Sequence, residues 1–482
     1  MRRSILFVAG EGLPFIKTGG LADVIGSLPK SLQERGHDVR VVLPLYKKII
    51  EKHYDKLTRI GTIEVISGWI RQPATYYSCD VDGVIYYFVE HQGYFERDGL
   101  YGYGDDGERF AFFQKAVLEM IKYVNWWPNI MHENDWQTGM LPLMCHALYA
   151  NDYRYQNIKH VYTIHNLAFQ GNFGKDMLEG CLGLSHYYFE NGSVRFDDGI
   201  SFMKAAIVYA DKITTVSPTY SAEILTETYG ERMDSMLRYR REDLWGIVNG
   251  IDTVTWNPST DKLLAKNFDA ETVFEGKAAN KLALQKELGL DEDSDSCMIG
   301  IVSRLTNQKG VYLITEKMAE MMNLGIQFVI LGTGEMAAEN AFKWLESEHK
   351  GKAVYYCGYN EELAHRIYAG CDLFLMPSLY EPCGIGQLIA MHYGALPLVR
   401  ETGGLKDTVK PYNRYTGEGN GFSFHGSYAG DMMNTILYAL EQYNDNREAW
   451  NSLVKNALDT DVSWNKSAAI YEQLYYQLTN WD

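Results

Sequence analysis

Two stretches of this sequence place charged side chains beside glycines. The first is SRLTNQKG at residues 303–310, which contains Arg304 and Lys309, and the second is EPCGIGQ at residues 381–387, which opens with Glu381. Cations and backbone amides bind diphosphates, whereas a carboxylate accepts hydrogen bonds from sugar hydroxyls. The combination favours a ligand that contains both groups, such as a nucleotide sugar.

Each of these stretches follows an apolar run. Residues 297–302, 372–376 and 395–399 predict buried strands, and a helical pattern follows each one. The third run leads into Thr402 and Gly403. Because ligands bind outside the carboxyl ends of the strands in an open parallel sheet, we expect these side chains to gather at one edge.

The first half of the chain shows the same alternation. Apolar residues 5–8 and 39–43 predict strands on either side of a helix over residues 21–35, which Gly36 ends. The loop between the first strand and this helix contains Lys17, Gly19, Gly20 and Asp23. Amides at a helix N-terminus favour an anion, although an ordinary tight turn explains the glycine pair equally well on its own.

Further elements follow from the pattern in order. Residues 61–90 predict β-hairpins with Asp82-Gly83 as a turn. The other predictions are a loop at 94–109, an amphipathic helix at 110–124, strands at 130–133, 161–164 and 213–216, a helical connection at 263–288 and a final aromatic-rich helix at 462–478.

The length indicates two domains. A chain of 482 residues that is 46% hydrophobic is too long for one core. We predict an α/β protein with two Rossmann-like, doubly wound domains: residues 1–248, and residues 249–461. The aromatic C-terminal segment, residues 462–482, is expected to pack back on the first domain.

Composition excludes some classes of partner. The formal charge is 45 − 62 = −17, which disfavours binding of nucleic acid or an anionic membrane surface. No run is long enough to span a bilayer. Seven scattered cysteines favour a reducing, cytoplasmic location. The 35 tyrosines include some excess of the kind that a protein handling neutral polysaccharide would show.

The motifs together resemble those of bacterial glycogen synthases and plant starch synthases. The resemblance covers nearly the whole chain. It is carried by residues 17–24, 134–136, 165–171, 248–252, 303–310, 358–359, 381–387 and 402–404, in order and at predicted strand ends. It implies the glycosyltransferase-B fold, with two domains facing a cleft: an N-terminal acceptor-side domain and a C-terminal domain that binds the nucleotide sugar.

The resemblance also implies roles for individual residues. Arg304 and Lys309 would hold the donor diphosphate, Glu381 the donor glucose and Tyr359 the donor base. The implied catalytic set is Glu381, His165, Arg304, Lys309 and Asp135. The implied substrate-binding set is Lys17, Gly19, Gly20, Asp23, Tyr101, Asn166, Asn249, Tyr359, Cys383, Gly384, Ile385, Thr402 and Gly403.

Three positions depart from the family pattern. Many relatives have a small hydroxyl residue where this chain has Gly386, and leucine in place of Ile385. Many bacterial relatives have histidine where this chain has Gln137. None of the three removes a residue to which we assign chemistry.

The resemblance implies transfer of glucose from ADP-glucose to the non-reducing end of an α-1,4-glucan with retention of configuration, without a metal or cofactor. Two alternatives remain at this stage: a related transferase that uses UDP-glucose, and a non-enzymatic glucan-binding regulator, which would be expected to lack Arg304, Lys309 or Glu381. A dinucleotide oxidoreductase is a more distant alternative, because Gly-x-Gly-x-x-Gly is missing after the first strand. The oligomeric state is left open.

Overall fold

The chain divides into two compact units. The structure, a computed structural model, describes residues 2–479. The first unit comprises residues up to Asn249 together with those from Trp464 onward, and the second unit is Gly250–Ser463. The division therefore falls one residue after the predicted boundary at 248/249 and two residues after that at 461/462.

The first unit is built on a nine-stranded sheet and a small three-stranded sheet. Its strands are β1 (Ser4–Val8), β2 (Asp38–Pro44), β3 (Thr58–Ser67), β4 (Ile70–Val81), β5 (Val84–Glu90), β6 (Ile130–Asn134), β7 (Lys159–Ile164), β8 (Asn172–Gly174), β9 (Arg195–Phe196), β10 (Gly199–Ser201), β11 (Lys212–Thr215) and β12 (Leu244–Gly246).

Helices connect these strands. They are α1 (Gly20–Glu34), α2 (Lys47–His53), α3 (Gln92–Phe95), α4 (Asp106–Val124), α5 (Leu141–Leu148), α6 (Tyr153–Gln156), α7 (Met177–Gly180), α8 (Tyr187–Glu190), α9 (Phe202–Tyr209), α10 (Pro218–Glu223) and α11 (Asp234–Tyr239), with 3₁₀ turns at Tyr54–Lys56, Trp136–Thr138 and Arg241–Asp243.

The large sheet is parallel except at one edge. Its strand order is β12-β11-β7-β6-β1-β2-β5-β4-β3, and only β4 and β3 run antiparallel to their neighbours. The predicted turn at Asp82-Gly83 joins β4 to β5, and both residues have positive φ (52° and 85°), as a tight hairpin turn requires. The strand order reverses beside β1, with β2 on one side and β6 on the other, so the crevice for a ligand lies at the carboxyl ends of β1 and β6.

The second unit is a six-stranded, all-parallel sheet with helices between its strands. Its elements are α12 (Val273–Leu288), β13 (Met298–Val302), a 3₁₀ turn at Asn307–Lys309, α13 (Val311–Met322), β14 (Gln327–Gly332), α14 (Met336–Glu348), β15 (Ala353–Cys357), α15 (Glu361–Gly370), β16 (Leu373–Met376), α16 (Gly386–His392), β17 (Leu396–Arg400), α17 (Gly403–Thr408), β18 (Phe422–Phe424), α18 (Ala429–Asp445) and α19 (Arg447–Leu458). The last helix of the chain, α20 (Asn465–Thr479), belongs to the first unit.

The second sheet confirms the doubly wound prediction and locates its crevice. The strand order is β15-β14-β13-β16-β17-β18. The order reverses between β13 and β16, so the loops that follow these two strands flank the ligand crevice. These loops carry the predicted motifs that contain Arg304, Lys309 and Glu381.

The predicted loop at residues 94–109 is partly wrong. Helix α3 covers its first residues, and α4 begins at Asp106, four residues before the predicted start. The early part of α4 has no amphipathic period because it is buried on nearly all sides. Arg109 is fully buried there and pairs with Asp106 at 2.7 Å.

The predicted helical connection at residues 263–288 is helical only from Val273. The preceding segment is held in turns by Asp269, whose carboxylate accepts hydrogen bonds from the amides of Glu271 and Thr272. Such local side-chain bonds compete with a helix.

The C-terminal helix packs against the first unit, through aromatic side chains as predicted. Trp464, Tyr471 and Tyr475 are buried in the core of that unit. The Tyr475 hydroxyl lies 2.6 Å from Nδ1 of His132 in β6, which ties the end of the chain to the central sheet. Residues 480–482 of the predicted segment lie outside the described part of the chain.

A buried ion pair anchors α12 to the second sheet. Lys281 Nζ lies 2.7 Å from Asp372 Oδ2 and 3.0 Å from the Tyr443 hydroxyl, and it donates to two backbone carbonyls. Burial lowers the pKa of Lys281, but Asp372 and Tyr443 outweigh burial and hold that pKa above its usual value. The Asp372 carboxylate also accepts a hydrogen bond from the amide of Met298 at the start of β13. None of the helices in residues 2–479 is long and apolar enough to cross a membrane.

Replacing Lys281 by methionine should destabilise the second unit. The substitution leaves the buried Asp372 carboxylate without its cation, a change that costs about 3 kcal/mol or more in comparable buried pairs. Urea unfolding followed by circular dichroism should show this loss, whereas the exposed control Lys343→Met should unfold like the parent. Adding Asp372→Asn to Lys281→Met should recover part of the loss. A wild-type midpoint for Lys281→Met would contradict the assigned role.

Candidate functional site

The first half of the site lies in the loop between β1 and α1. Glu11 is buried, and its carboxylate accepts hydrogen bonds from the amide of Thr18 and, at 2.7 Å, from the Thr18 hydroxyl. The Gly19 amide also points to this carboxylate. Burial raises the pKa of Glu11 to about 7, against these hydrogen bonds, which lower it. The amides of Thr18 and Gly19 are therefore engaged by Glu11, which fixes the loop, rather than free as the sequence predicted.

The helix that follows begins at Gly20, as the glycine pair indicated. Lys17 and Asp23 form an ion pair of 2.7 Å, and both side chains remain partly exposed. The structure thus brings these predicted residues together at the carboxyl end of β1.

Asp135 follows β6 in a strained backbone conformation, with φ of +56°. Its Oδ1 accepts a hydrogen bond of 2.8 Å from the His165 amide, which joins the end of β6 to the end of β7. Burial raises the pKa of Asp135 to about 7, against the backbone N–H groups of His165 and Asn166, which lower it. Non-glycine residues at positive φ are uncommon and concentrate at functional sites.

His165 is held as a neutral imidazole in a defined tautomer. The Asn134 amide nitrogen donates to the carbonyls of Val8 and His132, so its Oδ1 must face His165 Nε2, 2.9 Å away. His165 Nε2 is therefore the protonated nitrogen, and Nδ1 carries a lone pair. Burial lowers the pKa of His165 to about 3, so the ring is uncharged at neutral pH.

Tyr101 lies beside the same strand ends. Its ring packs on Trp136, and a Cβ added at Gly10 would lie 2.7 Å from the Tyr101 hydroxyl and 3.2 Å from Gln137. Among the described residues, the buried Tyr101 hydroxyl and Gln137 Oε1 have no hydrogen-bond partner. Both polar groups are therefore available to a ligand.

Two other predicted residues of the first unit lie at loop positions. Asn166 accepts a hydrogen bond from the Ala168 amide at 3.1 Å, which shapes the loop after β7. Asn249 is buried as the last residue before Gly250, and its Oδ1 has no partner within the described residues.

The second half of the site centres on an ion pair between the two motifs. Lys309 Nζ lies 2.5 Å from Glu381 Oε2, and the Ser378 hydroxyl donates to the same oxygen at 3.0 Å. Glu381 is 6% exposed. It precedes α16 by five residues, so a lysine and a hydroxyl, rather than a helix N-terminus, hold its carboxylate.

Close backbone contacts hold these loops together. Gly310 has φ of +69°, and a Cβ there would lie 1.9 Å from the Pro377 carbonyl oxygen. Gly403 has φ of +44°, and its Cβ would lie 1.9 Å from the Glu381 carbonyl oxygen. The Gly404 amide donates to that same Glu381 oxygen at 3.2 Å. Only glycine fits at these approaches.

The neighbouring predicted residues belong to the same loops. Cys383 and Thr402 are buried, Gly384 has φ of +76°, and Ile385 directly precedes α16. The Cys383 carbonyl accepts a hydrogen bond from the Gln387 side chain. These residues shape the backbone around Glu381.

Arg304 and Tyr359 present exposed side chains. Arg304 follows β13 and forms no ion pair within the described residues, so its guanidinium is available. Tyr359 follows β15 and is 75% exposed, with its hydroxyl 3.1 Å from Glu361 Oε2. The exposed ring offers a face for stacking.

Sequence reasoning missed three residues that position the site. Glu11 appeared only as the residue that ends the first apolar run, and a carboxylate inside a glycine-containing loop was the available signal. Asn134 is adjacent to Asp135, but its tautomer-setting role needs the contacts across β1, β6 and β7. Ser378 follows β16 without any pattern of its own.

Known proteins share this arrangement along the whole chain. Residues 4–239 match the starch synthase catalytic domain family, and residues 285–457 match glycosyl transferases group 1. Glycogen synthase of Clostridium perfringens is 53% identical over 98% of both chains, and that of Clostridium beijerinckii is 49% identical over 99% of this chain and all of the other.

A solved structure extends the similarity to three dimensions. The catalytic domain of starch synthase IV from Arabidopsis thaliana, bound to ADP and acarbose, superposes with a TM-score of 0.92 at 34% identity over 99% of each chain. With both sheets, their crevice loops and these relatives in agreement, the chain belongs to the glycogen synthase family of glycosyltransferases and has the glycosyltransferase-B fold.

Proposed function

We propose that this enzyme transfers glucose from ADP-glucose to the non-reducing end of an α-1,4-glucan with retention of configuration, in glycogen biosynthesis. The observation that carries the proposal is the buried Glu381 carboxylate held by Lys309, beside the exposed Arg304 at the crevice of the second sheet. A carboxylate and two cations at one crevice match the sugar and the diphosphate of the donor. Relatives named glycogen synthase, and the starch synthase solved with ADP and acarbose, support the choice of donor and acceptor.

The cations would stabilise the leaving group. Breaking the bond between glucose and diphosphate develops negative charge on a phosphate oxygen, and fixed cations stabilise that charge without reorganisation. The Lys309 ammonium has three N–H donors, one of which points to Glu381, so donors remain for phosphate oxygens. Arg304 supplies a planar guanidinium that can bind two oxygens at once.

The carboxylate and the imidazole would orient the sugar. Glu381 accepts hydrogen bonds from glucose hydroxyls and faces the reacting carbon. His165 is neutral and presents the Nδ1 lone pair as an acceptor for a sugar hydroxyl. An uncharged ring next to a carbon that becomes positively charged avoids repulsion. We assign no nucleophile: the acceptor hydroxyl attacks from the face that the diphosphate leaves, and a leaving phosphate oxygen takes its proton.

The remaining site residues would complete the two substrates' surroundings. The Lys17 loop and Asp135 flank the crevice of the first sheet, and Tyr101 lies on the acceptor side. Tyr359 stacks on adenine. The neutralising role of Arg304 and Lys309 supports a reaction that needs neither metal nor cofactor. Seven free cysteines support a cytoplasmic location.

A donor assay tests the proposal directly. Purified protein incubated with glycogen and labelled ADP-glucose should incorporate glucose into polymer, at a rate well above that with UDP-glucose. Addition of EDTA should leave the rate unchanged. Faster transfer from UDP-glucose would favour the alternative donor, and binding of glycogen with no transfer from either donor would favour a regulator.

The diphosphate contacts predict large losses of turnover. Arg304→Ala and Lys309→Ala should each fold normally and lose about a hundredfold or more in turnover, because one fixed charge contact in a transition state contributes about 3 kcal/mol. Arg304→Lys should recover only part of the rate. Lys343→Ala, an exposed lysine of the same unit, is the matched control and should retain full turnover. A near-normal rate in either site variant would exclude the assignment.

Stacking on the donor base predicts a different kinetic pattern for Tyr359. Tyr359→Ala should raise KM for ADP-glucose more than it lowers kcat, because stacking is present in the ground state and the transition state alike. Tyr359→Phe keeps the ring and should be mild. Equal losses in the two variants would assign the role to the hydroxyl instead of the ring.

A further inference from the structure

The second unit has another concave surface, in the loop between α17 and β18. This depression has a volume of about 510 Å³, and we call it the tyrosine groove. It is lined by Pro411, Tyr412, Asn413, Arg414, Tyr415 and Tyr438. None of the roles assigned above uses these residues.

Hydrogen bonds hold the loop of the tyrosine groove in one shape. The Tyr412 amide donates to the Gly421 carbonyl at 2.9 Å, and the Asn413 amide donates to the Glu418 carbonyl at 2.8 Å. The buried Asn420 side chain accepts from the Lys410 amide, at 2.7 Å. The groove is thus a preformed surface rather than a loose loop.

The rings of the groove are positioned by packing underneath. Tyr412 and Tyr438 have centroids 6.1 Å apart and planes 27° apart, and Phe422 lies edge-on to Tyr438 at 6.0 Å. Tyr415 is 92% exposed, and its amide donates to Asn413 Oδ1 at 2.9 Å. An aromatic residue so exposed on a hydrogen-bonded loop offers its ring to a ligand.

The charge in the groove is compensated. The Arg414 guanidinium lies 4.9 Å from the Tyr438 ring centroid and 3.6 Å from Glu441 Oε2. With its cation paired, on a chain of net charge −17, the groove does not favour a polyanion. Aromatic faces bordered by amide and guanidinium donors are instead what a neutral sugar chain requires.

The tyrosine groove is separate from the donor crevice. Residues 411–421 directly precede β18, so the groove lies at the amino end of that strand. β18 runs parallel to β17, whereas Arg304, Lys309 and Glu381 follow the carboxyl ends of their strands. The two sites therefore lie at opposite ends of the same sheet.

We propose that the tyrosine groove binds a stretch of α-1,4-glucan as a second attachment point, an inference that rests on the proposed function for its choice of sugar. A branched polymer has many chain ends. Holding it at one point raises the effective concentration of its other ends near the active site. The groove would then lower KM for polymer without taking part in transfer.

The test compares Tyr415→Ala with Tyr239→Ala, a tyrosine of the first unit that is 88% exposed and serves as the matched control. Electrophoresis in gels with and without glycogen measures binding without catalysis. We expect the parent and Tyr239→Ala to be retarded by glycogen, and Tyr415→Ala to be retarded several-fold less. In kinetics, Tyr415→Ala should raise KM for glycogen roughly three- to tenfold. It should leave kcat, KM for ADP-glucose and KM for maltotriose, which is too short to span both sites, unchanged.

Other results would overturn the proposal. Equal retardation of Tyr415→Ala and parent, in a protein that transfers glucose normally, removes the groove as a glucan site while the proposed function stands. Weaker retardation of Tyr415→Ala in a protein that transfers no glucose supports the groove while the proposed function fails. A lower oligomeric state for Tyr415→Ala in analytical ultracentrifugation, with unchanged glycogen binding, would assign the surface to a second copy of the chain. Tyr412→Leu, judged folded by its melting temperature, repeats the test on a second ring.

Discussion

The donor half of the site depends on an approach of backbone segments that only glycine permits. Gly310 contacts the Pro377 carbonyl, and Gly403 contacts the Glu381 carbonyl, at distances that exclude a side chain. These contacts bring the loops after β13, β16 and β17 close enough for Lys309 to reach Glu381. The ion pair and its buried carboxylate are therefore a consequence of the glycines, and the glycines are part of the site although they carry no reactive group.

The first unit positions its half of the site by a different device, a network of buried polar groups at the ends of β1, β6 and β7. Asn134 sets the tautomer of His165, Asp135 binds the amide that follows β7, and Glu11 holds the loop before α1. Burial drives the pKa values of these groups toward their neutral forms: His165 to about 3, and Asp135 and Glu11 to about 7. A neutral imidazole next to the donor sugar follows from burial alone, without a charged partner.

Both units use the topology of the parallel sheet in the same way. Each sheet reverses its strand order at one point, and the residues with assigned roles follow the strands beside that point. The tyrosine groove uses the opposite end of the second sheet, where the loop before β18 is free of the demands of the donor crevice. One sheet can thus support a chemical site and an attachment site without interference.

The sequence by itself determined the two α/β units, most strand positions and the residues at strand ends, because apolar runs and glycines act locally. It also determined the family, through the joint occurrence of motifs that are weak alone. The tertiary structure decided what those residues contact. The burial of α4 on nearly all sides hid its helical period and moved its start to Asp106. The engagement of the Thr18 amide by Glu11, the pairing of Lys309 with Glu381 and the tautomer of His165 each join residues far apart in the chain. Local patterns cannot specify such contacts, since they arise only when separate strands are placed side by side.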